Sequence, residues 1–466
     1  MRSIFKTPPI RLYSRLGVLL PMLLMIGLYA PSGLAQVLYG TVVGNVKDES
    51  GAVINGATIT ATNTETGLAR EVTTNDNGDY TIQNVLPGNY DVKIVRTGFA
   101  TFTTTAVPVT TNFVARVDAQ MKVGGLSDVV TVASDATLLQ TDSAEVKSEL
   151  SSREINTLPL NQYRNYQALL DLVPGTTPAQ FQNSIVDTPG RALTTNVNGT
   201  PRNINSTRTD GAANVNVWLP HHTAYVPPAE TIQEVTIVTS NFDAEQGLAG
   251  GAAITVLTKS GTNELHGSAF GYHTNQRFRA RPFFLPGNRE KPVGNLDIFG
   301  GTVGGPILKD KLFFFGGYER TRDRSAFDAL YTVPTLAERA GDFSAFRDAQ
   351  GNPIRIFDTA SGAVGSRTEF ANAIIPANRF SPAAQRLINL IPLPNVPSAN
   401  ANSNYFNAAT RRMIRDNYDL KINWNRNASH QIWGKYSRMD AIVTGYPGLG
   451  AAGGPHLGGA AGTGDT

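Results

Sequence analysis

The sequence contains no cysteine among its 466 residues, so disulfide bonds, thiolate metal ligands and a cysteine nucleophile are all excluded. Charged residues make up only 17% of the chain and leave a net charge of +3, which is too small and too scattered to indicate a nucleic-acid partner. After residue 30, no apolar run approaches the length of about 20 residues that a membrane-spanning helix needs. Any membrane contact by the rest of the chain must therefore use a closed β-barrel, because lipid permits only helices and closed sheets.

The first 35 residues have the order of a secretory signal peptide. A basic segment with Arg2 and Lys6 precedes an apolar stretch at 16–30, and the small residues Gly33 and Ala35 offer a cleavage site. The apolar stretch is too short for a membrane anchor. We predict export with cleavage after Ala35.

Glycine (45 residues) and proline (27 residues) are abundant and separate short β-patterned runs. Within residues 37–123, apolar residues alternate with others at 57–61, 90–94 and 113–121. Turn-forming residues at 75–78 and 86–89 separate such runs. Several short strands with turns between them predict an Ig-like β-sandwich.

The turn and core residues of this region carry a family pattern. Across residues 44–99 the order G-x-V-x-D, G-A-x-I, T-N-D-x-G-x-Y and L-P-G-x-Y-x-V resembles the carboxypeptidase regulatory-like domain, a transthyretin-like sandwich grouped with carbohydrate-binding-like folds. The motif specifies a fold and no activity. The six histidines form neither H-x-x-E nor H-E-x-x-H, so the sequence lacks a zinc peptidase site. We expect no enzyme activity, no cofactor and no metal.

Residues 230–270 carry the most informative pattern in the chain. Two β-patterned runs, 234–239 and 253–258, flank a glycine-rich turn, and the turn T-K-S-G-T-N then leads to a third run from His266. This order resembles the point where the plug ends and the barrel begins in TonB-dependent outer-membrane receptors of the Oar-like branch. Upstream L-P-L-N, V-N-G and D-G elements resemble the plug of the same family. The resemblance implies a mixed α+β plug within 124–260 and the first strands of an antiparallel barrel within 261–466.

A short segment between the sandwich and the plug resembles the TonB box of this family. Its residues follow a Gly-Gly pair and are Asp128, Val129, Val130, Thr131 and Val132. An extended segment of this kind can add itself to the exposed sheet edge of a partner. Two interpretations stay open, since the segment is either the strand that pairs with TonB or simply the first strand of the plug, and both can hold in turn.

The clearest barrel strand is at 417–425, where Tyr418, Leu420, Ile422 and Trp424 alternate with polar residues. Hairpin partners are predicted at 297–306, 311–320 and 430–439, and a long polar loop at 321–412. We count about five strands, whereas plugged outer-membrane transporters have about 22. We therefore expect an incomplete barrel and a fragment that cannot close by itself.

Two further features are interpreted as structural. The pair His221-His222, with Trp218, could contact a metal or a siderophore. The favoured interpretation is that these histidines lie in a loop and bind nothing. The glycine-rich run at 300–305 lies between β patterns, so a nucleotide site is rejected and close approach of strands is expected.

The chain is therefore predicted to be mainly β, with a transthyretin/Ig-like sandwich, a mixed α+β plug and the first strands of an outer-membrane barrel. The resemblance implies an outer-membrane receptor or transporter for an unidentified ligand. Its implied partners are a periplasmic TonB-type energiser protein, outer-membrane lipid and an unknown small-molecule or carbohydrate ligand. The alternative is an exported carbohydrate-binding-like sandwich without transport activity.

Overall fold

The computed structural model describes residues 39–124, 129–133, 144–160, 163–179, 193–215, 223–242, 246, 249–281, 291, 293–348, 350–396, 403–444, 446–449, 452–453 and 456–457. The predicted signal peptide at 1–35 lies outside the described residues. Within the described part, no helix combines the length and the apolar character that crossing a membrane requires. Strands dominate, as the composition predicts.

The N-terminal sandwich is formed by nine strands. In chain order these are β1 (Gly40–Asp48), β2 (Thr58–Asn63), β3 (Ala69–Thr73), β4 (Asp79–Val85), β5 (Gly88–Val95), β6 (Thr101–Val109), β7 (Val114–Arg116), β8 (Ala119–Met121) and β9 (Val129–Ala133). One sheet has the order β4-β1-β7, with β8 also paired to β1, and the other has the order β3-β2-β5-β6-β9. These two sheets provide the two layers of the predicted sandwich.

The core of the sandwich lies between the sheets. The apolar residues of the predicted alternations at 57–61, 90–94 and 113–121 are all buried, which confirms the pattern. Each fully buried valine or isoleucine contributes about 1.5–3 kcal/mol relative to an exposed one. The buried hydroxyl of Tyr80 donates a hydrogen bond of 2.7 Å to the carbonyl of Val117, so its polar end is satisfied inside the core.

Strand β9 contains the segment that resembles the TonB box. It pairs in parallel with β6, in a register that runs from Thr101↔Val129 to Thr105↔Ala133. Asp128 lies outside the described residues. The alternative that this segment is the first strand of the plug is wrong in this structure, because β9 is the edge strand of the sandwich sheet. The open edge of β6 offers unpaired backbone groups, and a valine-rich segment satisfies them.

The central domain follows the sandwich and is built on a second sheet. Its strands are β10 (Val146–Ser151), β11 (Ser206–Thr209), β12 (Ala212–Ala213), β13 (Ile232–Ser240) and β14 (Ala253–Thr258). They have the order β10-β13-β14-β11-β12. The predicted β runs at 234–239 and 253–258 are confirmed as β13 and β14.

Helical segments of the central domain begin where their capping residues predict. Helix α1 (Ser152–Thr157) has a capping box, in which Glu154 accepts a hydrogen bond of 2.7 Å from the backbone nitrogen of Ser151. A 3-10 helix, Tyr166–Leu172, has Asn165 as its N-cap and ends before Pro174. Two shorter 3-10 segments are Arg202–Ile204 and Ala229–Thr231.

The C-terminal sheet consists of five consecutive antiparallel strands among the described residues. They are β15 (His266–Thr274), β16 (Gly294–Leu308), β17 (Leu312–Tyr331), β18 (Tyr405–Asn427) and β19 (His430–Thr444). A separate short pair follows, β20 (Tyr446–Pro447) with β21 (His456–Leu457). The predicted strands at 297–306, 311–320, 417–425 and 430–439 are confirmed, but each is longer than predicted.

The predicted alternation on β18 is confirmed by burial. Tyr418, Leu420, Ile422 and Trp424 are exposed on the outer face, whereas Arg415, Asn417, Asp419 and Lys421 are buried on the inner face. An apolar outer face with a polar inner face is the pattern of an outer-membrane barrel. The inner face packs on the central domain, so polar side chains there must find partners.

The connection between β17 and β18 is shorter than predicted. Both strands continue into the range 321–412, and residues 332–404 form the loop. Charged residues on both faces hide the apolar alternation there, which is why the sequence pattern fails. The loop holds helix α2 (Leu336–Arg339) and helix α3 (Pro382–Leu390), and Arg339 joins them through hydrogen bonds to the carbonyls of Ile388, Ile391 and Pro392.

Glycine in β16 permits close approach of neighbouring strands. A Cβ atom at Gly300 would lie 2.0 Å from the carbonyl oxygen of Tyr318, which no larger residue can tolerate. The arrangement supports the interpretation of the run at 300–305 as a packing feature.

Candidate functional site

The candidate site is the interface between the central domain and the inner face of the C-terminal sheet. Buried charged side chains meet there in three groups, which we name after their acidic members: the Asp210 cluster, the Glu319 cluster and the Asp323 cluster. A buried charge without a partner costs several kcal/mol, so each group must be closed by ion pairs and hydrogen bonds.

The Asp210 cluster joins the D-G element of the central domain to two barrel-like strands. The Asp210 carboxylate lies 2.9 Å from Lys421 Nζ on β18 and 3.3 Å from Lys435 Nζ on β19. It also accepts hydrogen bonds from Thr258, at 3.0 Å from the backbone nitrogen and 2.5 Å from the hydroxyl. The cluster therefore ties β14, β18 and β19 together through one carboxylate.

The ionised form of Asp210 is stabilised by this environment. Burial by itself would raise the pKa of Asp210, but the ammonium groups of Lys421 and Lys435 and the hydrogen bond from Thr258 outweigh burial and lower the pKa. The carboxylate is therefore charged at neutral pH and holds both lysines.

A second carboxylate extends this cluster. Asp419 on β18 accepts hydrogen bonds of 2.8 Å from the Tyr225 hydroxyl and 2.6 Å from the Ser437 hydroxyl, and it lies 3.6 Å from Lys435 Nζ. Burial, and then the charge of Asp419, raise the pKa of Tyr225, so the phenol stays protonated and acts as a donor.

The Glu319 and Asp323 clusters lie further along β17 and β18. Arg415 pairs with Glu319 at 3.2 Å, and Arg411 pairs with Asp323 at 3.1 Å. Tyr163 of the central domain also donates a hydrogen bond to Asp323. The Asp323 cluster therefore crosses from one domain to the other.

A further ion pair within the central domain faces β15. Arg164 pairs with Glu230 at 3.2 Å, and the Tyr272 hydroxyl donates a hydrogen bond of 3.2 Å to the same carboxylate. The guanidinium carbon of Arg164 lies 3.9 Å from the centre of the Tyr272 ring, within cation–π range. A small cavity of about 10 Å³, near the minimum that a buried water needs, lies between Arg164 and Arg415.

The sandwich contacts the central domain through its 110–112 turn. Lys147 donates hydrogen bonds of 2.8 Å to the Thr111 carbonyl and 3.1 Å to the Thr110 hydroxyl, and the Thr111 backbone nitrogen donates one of 3.2 Å to Glu234. Glu234 is buried on β13. Burial, and then the charge of Glu149, raise the pKa of Glu234 to about 7, while Lys147 acts in the opposite direction.

This carboxyl predicts a pH-dependent stability of the junction. The folded pKa of Glu234 lies above its ordinary value of 4.5, so the folded state binds the proton more tightly. Its contribution is present below about pH 4.5 and is lost as pH rises through about 7, by about 3 kcal/mol at most. Urea unfolding should give a smaller free energy at about pH 8 than at about pH 5. Glu234→Gln should reduce this difference, and an unchanged difference would contradict the assignment.

The sandwich also contacts the C-terminal sheet at the turn between β16 and β17. Asn263, from the T-K-S-G-T-N motif, donates a hydrogen bond of 2.7 Å to the Asp310 carboxylate and accepts one of 2.8 Å from the Asp310 backbone nitrogen. The Asn263 backbone nitrogen donates a bond of 3.0 Å to the Glu65 carbonyl of the sandwich. Asn263 of this motif therefore contacts both the sandwich and the turn between β16 and β17.

The structure separates the predicted site residues from these clusters. Val129, Val130, Thr131 and Val132 lie on β9 in the sandwich sheet, and no described contact joins them to the Asp210 cluster. Trp218, His221 and His222 lie outside the described residues. Within the described ranges, no group of three or more histidine, aspartate or glutamate side chains is arranged to hold a metal ion.

Comparisons with known proteins agree with this architecture. A model of the outer membrane beta barrel domain matches residues 257–465, and a model of the carboxypeptidase regulatory-like domain matches residues 41–122. The TonB-dependent transporter Oar of Myxococcus xanthus is 29% identical over 309 residues, which cover 62% of this chain and 27% of that protein. Residues 257–465 therefore match an outer-membrane barrel domain, and the chain is similar to a TonB-dependent transporter. It spans about a quarter of the length of that relative.

Solved structures similar to this chain include outer-membrane transporters and receptors. The outer membrane transporter YddB from Escherichia coli is 12% identical, with 65% of this chain and 34% of that chain covered and a TM-score of 0.39. The siderophore receptor PirA from Acinetobacter baumannii is 17% identical, with 66% and 42% covered and a TM-score of 0.29.

Most of the interface residues carry no recognisable signal in the sequence. Asp419 and Lys421 belong to the polar face of the predicted strand at 417–425, but their partners are distant in sequence. The D-G and T-K-S-G-T-N elements are visible as motifs, and they contain Asp210 and Thr258 respectively. Lys435 on β19 carried no signal, because its role depends on two residues that are distant in sequence.

Proposed function

We propose that this receptor-like chain takes part in energised uptake across the outer membrane, with the central domain as its plug. The segment Asp128–Val132 is the strand that a periplasmic TonB protein takes up. The ligand is a small molecule or carbohydrate, and the chain itself performs no catalysis.

One observation carries this proposal. Strand β9 is held at a sheet edge by backbone pairing to β6 alone within its sheet, and its opposite edge has no described strand partner. The backbone N–H and C=O groups on that edge of β9 can therefore form hydrogen bonds with a strand from a partner protein. A TonB strand that pairs with β9 exchanges one set of hydrogen bonds for another of similar strength.

The interface clusters suit a plug that must move. Ion pairs and hydrogen bonds between the central domain and the sheet hold only at short distances, and water can replace each of them once the domain shifts. The Asp210 and Asp323 clusters join the two parts in this way. A continuous apolar interface would lose its burial with no such substitute.

The absence of cysteine makes a direct test possible. Val130→Cys gives the full chain a single thiol on β9, and a single cysteine is placed in the periplasmic domain of a TonB protein from the same organism. In energised cells we expect a disulfide-linked complex of the two proteins. Val53→Cys, an exposed valine on the sandwich, is the matched control and should give none. Equal cross-linking at both positions, or none at Val130, would contradict the proposal.

The alternative of a carbohydrate-binding sandwich is not favoured. Such a module would present clustered aromatic side chains on one face, as ring surfaces for sugars. Tyr80, Tyr90, Phe102 and Phe113 are instead buried in the sandwich core, and Phe99 packs against it.

A further inference from the structure

The outer face of the C-terminal sheet has an apolar band with a definite upper limit. On β18 the band runs from Trp424 to Ile414. About ten residues at about 3.4 Å each, tilted by about 45°, span about 24 Å, close to the apolar height of an outer-membrane barrel. The turn at 309–311 is short and the loop at 332–404 is long, so the Ile414 end of the band faces the cell exterior.

Charges inside this band are neutralised by neighbours on the same face. Arg320 forms a bidentate pair with Asp416, with both nitrogen–oxygen distances 2.7 Å. Arg438 pairs with Asp440 at 3.0 Å. Neutral pairs of this kind reduce the cost of placing charge near lipid.

The pair of residues next beyond Ile414 carries charges that no neighbour on the same face neutralises. Arg324 on β17 and Arg412 on β18 are direct cross-strand partners, and both are exposed on the outer face. Neither guanidinium forms an ion pair with a carboxylate of any described residue. Arg322 lies directly opposite Ile414, in the last row of the band, where it stacks on Phe299 at 5.5 Å and has no ion pair with a described residue. Like charges directly opposite each other destabilise a sheet. An anion bound between Arg324 and Arg412 would remove this repulsion.

We propose that Arg324 and Arg412, with Arg322 beside them, bind a phosphate group on the headgroup of an outer-leaflet lipid. Guanidinium groups recognise phosphate through two parallel hydrogen bonds, and two guanidiniums on adjacent strands can share one phosphate. The position of these arginines relative to the apolar band favours a lipid headgroup over a free phosphate ion. The row lies one residue pair beyond the apolar band, where the acyl chains of a lipid end and its headgroup begins.

The test uses the full chain purified in detergent. It is titrated with lipid A that carries its phosphates and with the same lipid A after their removal. Wild-type protein should bind the phosphorylated form more tightly. Arg324→Gln/Arg412→Gln should weaken binding of the phosphorylated form about thirtyfold and leave binding of the dephosphorylated form unchanged.

Arg426→Gln is the matched control. Arg426 is also an exposed arginine on the outer face of β18, but at the opposite end of the apolar band. Its loss should leave lipid A binding unchanged. Arg324→Lys/Arg412→Lys keeps the charge and should lose much less affinity than the glutamine variant.

Three outcomes would overturn the proposal. One is equal binding of the two lipid A forms by the wild-type protein. This measurement does not depend on whether any variant folds. Another is an equal loss of binding in Arg426→Gln. The last is complete competition by inorganic phosphate at the concentration of lipid A, which would assign the row to a free anion instead of a lipid.

Discussion

Asp210→Ala is expected to loosen the central domain from the C-terminal sheet and to lower the free energy of unfolding by about 3–5 kcal/mol. The substitution leaves Lys421 buried without its carboxylate and deprives Lys435 of one of its two partners. It also leaves the Thr258 hydroxyl and backbone nitrogen without their acceptor. Urea unfolding of the purified chain measures the effect.

The matched control is an exposed ion pair of the sandwich. Asp118 pairs with Arg116 at 2.9 Å, and their side chains are 55% and 43% exposed. Asp118 also accepts an exposed hydrogen bond of 2.8 Å from the Asn45 backbone nitrogen, so Asp118→Ala should cost about 1–2 kcal/mol, still well below the loss expected at Asp210. A loss at Asp210 as small as that at Asp118 would show that the buried cluster does not hold the domain.

A double variant distinguishes the loss of the ion pair from the cost of leaving Lys421 buried without a carboxylate. Asp210→Ala/Lys421→Met removes both partners and replaces the lysine with an apolar side chain. Because much of the cost of Asp210→Ala comes from the unpaired lysine, the double variant should be more stable than the single one. A double variant that is less stable than Asp210→Ala would mean that Lys421 has another essential partner.

Local pattern was sufficient to predict most of the strands. Alternation along one strand reflects which face is buried, so the runs at 113–121 and 417–425 identified inner and outer residues correctly. The residues of the turn at Asp310 and of the capping box at Ser151 likewise favour the local structures that they form. These signals depend only on neighbours in sequence.

Features that depend on distant partners could not be predicted. The ends of β17 and β18 were missed because polar side chains on their inner faces, such as Asp323 and Arg411, have partners from other elements. The place of β9 was missed for the same reason, since an isolated valine-rich strand fits the edge of either neighbouring sheet. A β-strand pattern shows which face is apolar, but it does not identify the partner strand.

The pairing of β9 with β6 allows a direct test of the proposed function. A reversible disulfide between the two strands can hold β9 in place and can then be reduced. Thr103 on β6 and Thr131 on β9 are direct partners in the parallel register, and Thr131 is exposed. Neighbouring strands lie about 4.8 Å apart, which is within the range of Cα separations that a disulfide can bridge. Because the chain has no other cysteine, Thr103→Cys/Thr131→Cys can form only this bond within one molecule.

We expect the oxidised double variant to lose binding to the periplasmic domain of TonB, by about a hundredfold or more, and to regain it on reduction. The lock prevents displacement of β9 from β6, and a loss of this size corresponds to about 3 kcal/mol of binding free energy. Calorimetric titration of the full chain with and without reductant measures it, and Thr103→Cys and Thr131→Cys alone should bind equally in both conditions. Equal binding by the locked and reduced forms would show that TonB pairs with β9 without displacing it. Absence of binding in the reduced form and in both single variants would instead count against the segment as the TonB partner.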